Sequence, residues 1–287
     1  MPRGKNIGSE EQYLEADGWE FEYIETRLYK IARLVFKNAL TIGVILGVWF
    51  LVSVWVNQAR NIDFPTPIDT FLRLIDLFKG EKLYDYGLYD HFLSSLTRWG
   101  IAFFLAAVIG LSIGTCLGIS KSAKEIVMPI VYFIQLIPGL AWIPIALLMF
   151  GIGNAATLFM IFATALPPII INVTGGIRGV PVIYIKASKM MGASSYRIFS
   201  QVMIPAALIS TINGLRIGLA NGWRVLIAAE MVVGVGLGLG YSIIQARWSL
   251  DFESSFVCII LICITGLFFE KIVFNLIEDK VAKHLGS

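Results

Sequence analysis

Residues 186–205 read KASKMMGASSYRIFSQVMIP, and the rest of the chain is best understood outward from them. The stretch is amphipathic, rich in small residues, and carries Lys186, Lys189 and Arg197. Long apolar runs flank it, which makes it a helical loop on one side of a membrane. Helical spacing brings Ala187, Met190, Met191 and Ser194 near one face. Gly192 breaks the helix or lets another surface come close. Pro205 ends the irregular part and opens the next apolar segment. The whole connection, 174–207, is long for a simple link, and its apolar side needs burial. A protein partner docking here follows from those two properties.

The composition supports that frame. Of 287 residues, 57% are hydrophobic and 15% charged, against about 25% charged in a typical soluble domain. The pattern is that of an all-α polytopic membrane protein. A net charge of +3, with the charges at segment ends, excludes nucleic acid as a partner. Cys116, Cys258 and Cys263 fall inside apolar runs and read as small hydrophobes, neither a disulfide framework nor a metal site. Residues 1–38 carry both signs of charge and do not read as a signal peptide. This tail is expected to hold an amphipathic helix over 19–37. Trp19, Ile24, Leu28, Ile31 and Val35 share its apolar face, with Arg27, Lys30, Arg33 and Lys37 interleaved. Such a helix either lies on the membrane surface or packs on protein.

Six transmembrane helices are predicted: 39–56, 92–119, 126–150, 155–173, 208–235 and 254–274. Between the first two, 57–91 is an extracytoplasmic segment with a short amphipathic helix over 68–77. In the second span, Gly110, Gly114 and Gly118 recur every fourth residue and admit another backbone. Pro129, Pro138 and Pro144 predict a kinked third span, broken near Pro138. A Gly-rich turn and polar loop, 236–253, follow the fifth span, and 279–287 form a charged tail. Six spans put both termini on one side. Fifteen Lys and Arg fall on that side and five on the other. The positive-inside bias therefore predicts both termini, and 186–205 with them, to be cytoplasmic.

No engine is visible in the sequence. There is no G-x-x-x-x-G-K-[ST] phosphate loop, no H-E-x-x-H and no G-x-S-x-G. Hence no catalytic residues, no metal ligands and no cofactor are assigned. The remaining polar candidates are Arg216, Arg224 and Glu230 in the fifth span, where charges face protein or a watery path. Arg216 and Arg224 project about 80° apart and are able to line one passage for an anion. Glu230 lies about 120° from Arg224, so an in-helix pair is excluded and each charge needs a partner elsewhere. Structural pairing with other helices or with a second subunit stays open for all three, and Arg216 is able to snorkel. From the residues alone, a stand-alone secondary carrier or channel also stays open.

The motif loop narrows this. Lys186-Ala187-Ser188, three residues, Gly192, nine residues, then Val202-Met203-Ile204-Pro205 resembles the EAA motif of ABC importer permeases. That motif is E-A-A, three residues, G, nine residues, I-x-L-P, so Lys186 stands where the family has Glu. Other stretches resemble the nitrate, sulfonate, taurine and bicarbonate permeases. They are Phe64-Pro65-Thr66-Pro67, Ser94-Ser95-Leu96-Thr97-Arg98, the Ile137–Pro144 run IPGLAWIP, Phe150-Gly151-Ile152-Gly153, Gly214-Leu215-Arg216 and Ala229-Glu230-Met231. The likeness covers about 39–278. It implies a type I ABC importer permease fold, with a type-1 transmembrane domain over 92–278, in the cytoplasmic membrane. It further implies two ATPase subunits, a second permease subunit in a homodimer, and an extracytoplasmic substrate-binding protein that largely sets solute choice. Under it, Lys186, Ala187, Ser188, Gly192, Ala193, Arg197 and Pro205 couple to the ATPase, while Arg216, Arg224 and Glu230 belong to the translocation pathway.

Overall fold

A computed structural model describes residue 33 and residues 36–285. Most of the helix expected over 19–37 therefore lies outside the described residues. The chain divides into two compact units, Met1–Asp69 and Thr70–Ser287.

In the first unit, α1 spans Phe36–Arg60. The chain then turns back along the last turns of α1. The Trp49 indole N–H and the Ser53 hydroxyl both donate to the Pro65 carbonyl, at 3.0 and 2.9 Å. The Asn57 amide closes a two-way pair with the Phe64 backbone, accepting at 2.7 Å and donating at 3.2 Å. Next comes α2, Pro67–Phe78, where a helix was expected over 68–77. Its start is dictated locally. Thr66 caps it, Pro67 occupies the first helical position, and Asp69 answers the Thr66 N–H at 3.1 Å while Thr66 Oγ1 accepts from the Asp69 N–H at 3.2 Å.

The second unit opens with a short hairpin, β1 (Lys82–Leu83) and β2 (Tyr86–Gly87), which feeds α3 (Leu88–Ile119). Then follow α4 (Lys121–Gln135), α5 (Ile143–Phe150), α6 (Asn154–Arg178), α7 (Val182–Met190), α8 (Ser195–Ile198), α9 (Ile204–Val233), α10 (Leu239–Ser249), α11 (Phe252–Leu267) and α12 (Phe274–Leu285). Among the described residues five helical stretches are long and apolar enough to span a membrane. The sixth expected span is a broken pair, α4 and the 139–150 segment, bent by 101°. The break sits at Pro138, which cannot continue a helix and biases Ile137 away from helical backbone.

The core is the packing of α6 between α3 and α9. The glycine stripe of α3 is its seam. A Cβ on Gly114 would lie 2.7 Å from Val173 Cβ of α6, so only glycine permits this approach. Across the other face of α6, a Cβ on Gly218 of α9 would lie 2.8 Å from the Ala165 carbonyl. An aromatic cluster fastens α9 to α3 and the α11 side. Trp99 meets Trp223 and Phe269 edge-on, with ring centroids at 5.1 and 4.7 Å. Both indoles are satisfied: Trp99 donates to the Leu219 carbonyl and Trp223 to that of Ile262. Outward, Phe104, Leu105, Val108, Ile126 and Phe133 are exposed, a surface suited to lipid rather than water.

The helices run past the hydropathy boundaries. The fourth span continues through Pro167 and Pro168 to Arg178, and the fifth helical stretch starts at Ser195. Hence the 174–207 connection is mostly helix. The polar loop expected over 236–253 also folds as α10, which buries Leu239, Gly240, Ser242 and Ala246. At the end of the chain, α12 continues helically to Leu285.

Candidate functional site

Two regions of the second unit carry polar chemistry: the segment from α7 to the start of α9, and the charged residues of α9 with their partners.

The first is a helix, a tight turn, and a second helix joined directly to α9. The turn at the end of α7 is set by Gly192, whose φ of +77° is left-handed. The Ala193 N–H donates to the Ser188 carbonyl and the Gly192 N–H to that of Lys189, both at 3.0 Å. This is the Schellman arrangement, and it uses up two carbonyls that the helix end would leave open. Nothing lies within 4 Å of a Cβ built on Gly192. Backbone conformation, not close approach, is what calls for glycine there. Ser194 then caps α8, accepting from the Arg197 N–H at 3.4 Å. A π turn, Phe199–Met203, follows immediately before Pro205. Proline cannot donate to the carbonyl four residues back and clashes with it in a regular helix, and the wider turn relieves that conflict. So α8, the π turn and α9 form one continuous rod.

No side chain of α7 is buried. Val182, Ile183, Tyr184, Met190, Met191 and Tyr196 are all exposed, Met190 by 89% and Met191 by 86%. Lys186, Ala187, Lys189, Ser194 and Arg197 are exposed beside them. This is an apolar surface with basic residues around it, lying between two spanning helices.

The three charges of α9 have different surroundings. Arg216 is half-buried and donates to Glu278 of α12 at 2.7 Å and to Asn275 at 3.1 Å, with its guanidinium over the Phe274 ring. Arg224 is exposed, donates only to Asn221 at 3.3 Å, and forms no ion pair among the described residues. It borders a cleft of about 370 Å³ with Trp99, Trp223, Phe269 and Glu270. The Pro138–Gly139 break packs on the adjoining face of α9, where a Cβ on Gly139 would run into Val225 Cγ2. Glu230 has no accessible surface. It therefore lines no passage in this conformation.

Instead Glu230 is the centre of a buried polar knot. Its carboxylate accepts from Arg98 Nη1 at 2.5 Å, the Ser95 hydroxyl at 2.8 Å and the Gly240 N–H at 3.0 Å. Arg98 spends its other nitrogens on Asn154 Oδ1 and the Leu237 carbonyl, each at 2.7 Å. Ser95 Oγ accepts from the Leu239 N–H at 2.9 Å. His91 extends the network. Its Nε2 faces the Leu83 carbonyl at 3.1 Å, which only accepts. Its Nδ1 faces the Gly238 N–H at 3.1 Å, which only donates. Nδ1 also lies 3.0 Å from Ser242 Oγ and 3.2 Å from the Gly238 carbonyl. A Cβ on Gly238 would lie 2.5 Å from the Glu230 carboxyl carbon. The glycine-rich turn is thus wrapped around the carboxylate.

Sequence reasoning expected a partner for Glu230 but did not find Arg98, 132 residues away. A signal existed. Ser94–Arg98 and Ala229–Met231 both stood out as motifs, and the fold brings those two motifs together.

Comparisons with known proteins identify the family. The family model for the binding-protein-dependent transport system inner membrane component matches residues 92–283. The nitrate import permease protein NrtB of Synechocystis is 33% identical over 241 residues, covering 83% of this chain and 86% of that protein. The taurine transport system permease protein TauC of Escherichia coli is 30% identical, covering 76% and 78%. The bicarbonate transport system permease protein CmpB of Synechococcus elongatus is 34% identical, covering 66% and 68%. Among solved structures, a chain of the MetNI methionine ABC transporter in an inward-facing conformation superposes with a TM-score of 0.54. It is 24% identical, and the match covers 67% of this chain and 92% of that one. The chain belongs to the binding-protein-dependent transport inner membrane components, as a multi-pass permease subunit of an ABC importer.

Proposed function

We propose that this chain forms half of the membrane pathway of an importer for small anionic solutes, driven by ATPase subunits that grip α7 and the turn behind it. The observation that carries this is the bare apolar face of α7, Met190 and Met191 above all. A surface of that kind between two spanning helices requires a protein partner. The family supplies the reason for one, since the chain has no phosphate loop of its own.

Force reaches the bundle by a short route. Pushing on α7 moves the Gly192 turn, then α8, and α8 is continuous with α9 through the π turn. Since α9 packs on α6, and α6 on α3, a displaced α9 carries the core with it. Two such subunits, rocked by a pair of ATPases, would open alternately to either side. The Lys and Arg distribution puts α7 and both termini in the cytoplasm, where ATP is. A binding protein would deliver solute to the other face.

Anion preference rests on Arg224 and on the solutes named for the relatives: nitrate, taurine and bicarbonate all carry an anionic group. A cation in a spanning helix, without an ion pair, is costly unless it meets water, solute or a second subunit. Lys186, in place of the family's Glu, offers the ATPase a positive charge and calls for an acidic partner residue there.

The test is a Met190→Asp, Met191→Asp double variant co-expressed with the ATPase. Co-purification and ATP-driven uptake should be lost while the permease keeps its thermal melting temperature, because both side chains lie outside the core. Undiminished co-purification would overturn the docking assignment.

A further inference from the structure

We infer that α2 is an interfacial helix whose exposed face is seated in the bilayer, on the side opposite α7. The helix is apolar on two sides. One side is buried: Thr70 and Leu77 are covered, and Leu77 joins a cluster with Leu83 and Leu88. That side is also pinned by charge. Arg73 donates to Ser254 Oγ at 2.9 Å and to Glu81 at 2.5 Å, and lies 3.6 Å from Asp251. Rotation of α2 about its axis is therefore fixed, and the opposite face points away from the bundle.

That opposite face carries Ile68, Phe71, Leu72, Ile75 and Phe78. At helical spacing they fill an arc of about 120°. Phe71 is 61% exposed and Leu72 55%. Within α2 no charged residue falls inside the arc; Asp69 and Asp76 lie beyond one edge, and Lys79, the first residue past the helix, follows at the arc's end with its exposed ammonium free to reach water.

Lipid fits this face better than a protein that must come and go. Transient protein interfaces are only slightly more than half apolar in area, with polar groups throughout. This arc is uninterrupted hydrocarbon and aromatic ring. It is also continuous with the exposed apolar surface of α3, which is suited to lipid. Phe78 stacks edge-on against Tyr89 at 5.7 Å. Tyr89 leads along α3 to the exposed Leu93, and Ile101, Phe104 and Leu105 follow. Tyr86 and Tyr89, both exposed where α3 begins, are the residues expected at headgroup level. An amphipathic helix at that depth lies in the plane of the interface.

Site-directed spin labelling tests this on the full chain in bilayers of phosphatidylethanolamine and phosphatidylglycerol. The three native cysteines are first replaced by alanine. Single labels are then placed through Leu72→Cys, Ile75→Cys, Asp76→Cys and, as a reference on the exposed apolar surface of α3, Phe104→Cys. Accessibility is read by power saturation with oxygen and with a water-soluble nickel chelate. At 72 and 75, oxygen accessibility should exceed that of the chelate several-fold, as at 104, and the ratio should reverse at 76. Chelate access at 72 and 75 matching that at 76 would mean a water-exposed face and would overturn the inference. Shielding of 72 and 75 from both reagents would mean protein cover, by this chain or a second copy, and would overturn it equally.

Discussion

Gly192 holds the turn next to the face proposed for docking, and its left-handed φ is what calls for glycine. A left-handed φ costs a residue with a Cβ about 1–2 kcal/mol, less for Asn, whose short polar side chain tolerates it. Since no atom lies near a built Cβ, size is not the obstacle in the isolated subunit. Gly192→Leu should therefore lower the melting temperature of the permease by only a few degrees, yet lower ATP-driven uptake several-fold while ATP hydrolysis persists. Gly192→Asn should retain most uptake. Equal uptake in the two variants, measured in proteoliposomes, would count against the turn as the coupling element. The need for glycine was legible in the sequence, but its cause was not. Spacing showed a break, and only φ distinguishes a backbone need from a close approach.

At the scale of elements, the knot around Glu230 decides how α3, α6, α9 and α10 end together. A buried ion pair stabilises little in net terms, because desolvation offsets the attraction. Breaking one from a single side is different, since it strands a charge. Arg98→Ala is expected to lower stability by about 3–5 kcal/mol. Arg98→Met combined with Glu230→Met should cost less than the sum of the two single changes, because neither charge is left alone. Denaturation of the purified subunit in detergent measures both, and strict additivity would show the pair is not coupled. The glycine stripe of α3 was legible as a close-packing face. Its partner, α6, was not, because spacing fixes which face packs and not what packs on it.

For the whole molecule, the open question is where solute passes. Arg224 is the one charge of α9 left without an ion pair among the described residues, and it borders an aromatic-lined cleft. Arg224→Ala is expected to reduce uptake of an anionic solute at least tenfold without altering assembly with the ATPase, and Arg224→Lys to restore part of it. Uptake by the reconstituted transporter decides, and an unimpaired alanine variant would remove Arg224 from the pathway. Arg216 and Glu230, expected beside it, are engaged by Glu278 and by Arg98 respectively.

The sequence by itself determined the class of the protein, the membrane-spanning segments to within a few residues at most ends, and the break at Pro138. All of these rest on local properties: hydropathy over a span, the missing N–H of proline, the period of a helix. The tertiary structure alone decided which charge meets which, and that the turn after α9 closes around a carboxylate. It also showed that α8 runs unbroken into α9, and that α2 offers an apolar face outward as well as inward. The central pairing, Arg98 with Glu230, depends on residues 132 positions apart arriving at one place. The pattern along a chain records which face of a helix is apolar, but not which neighbour covers it.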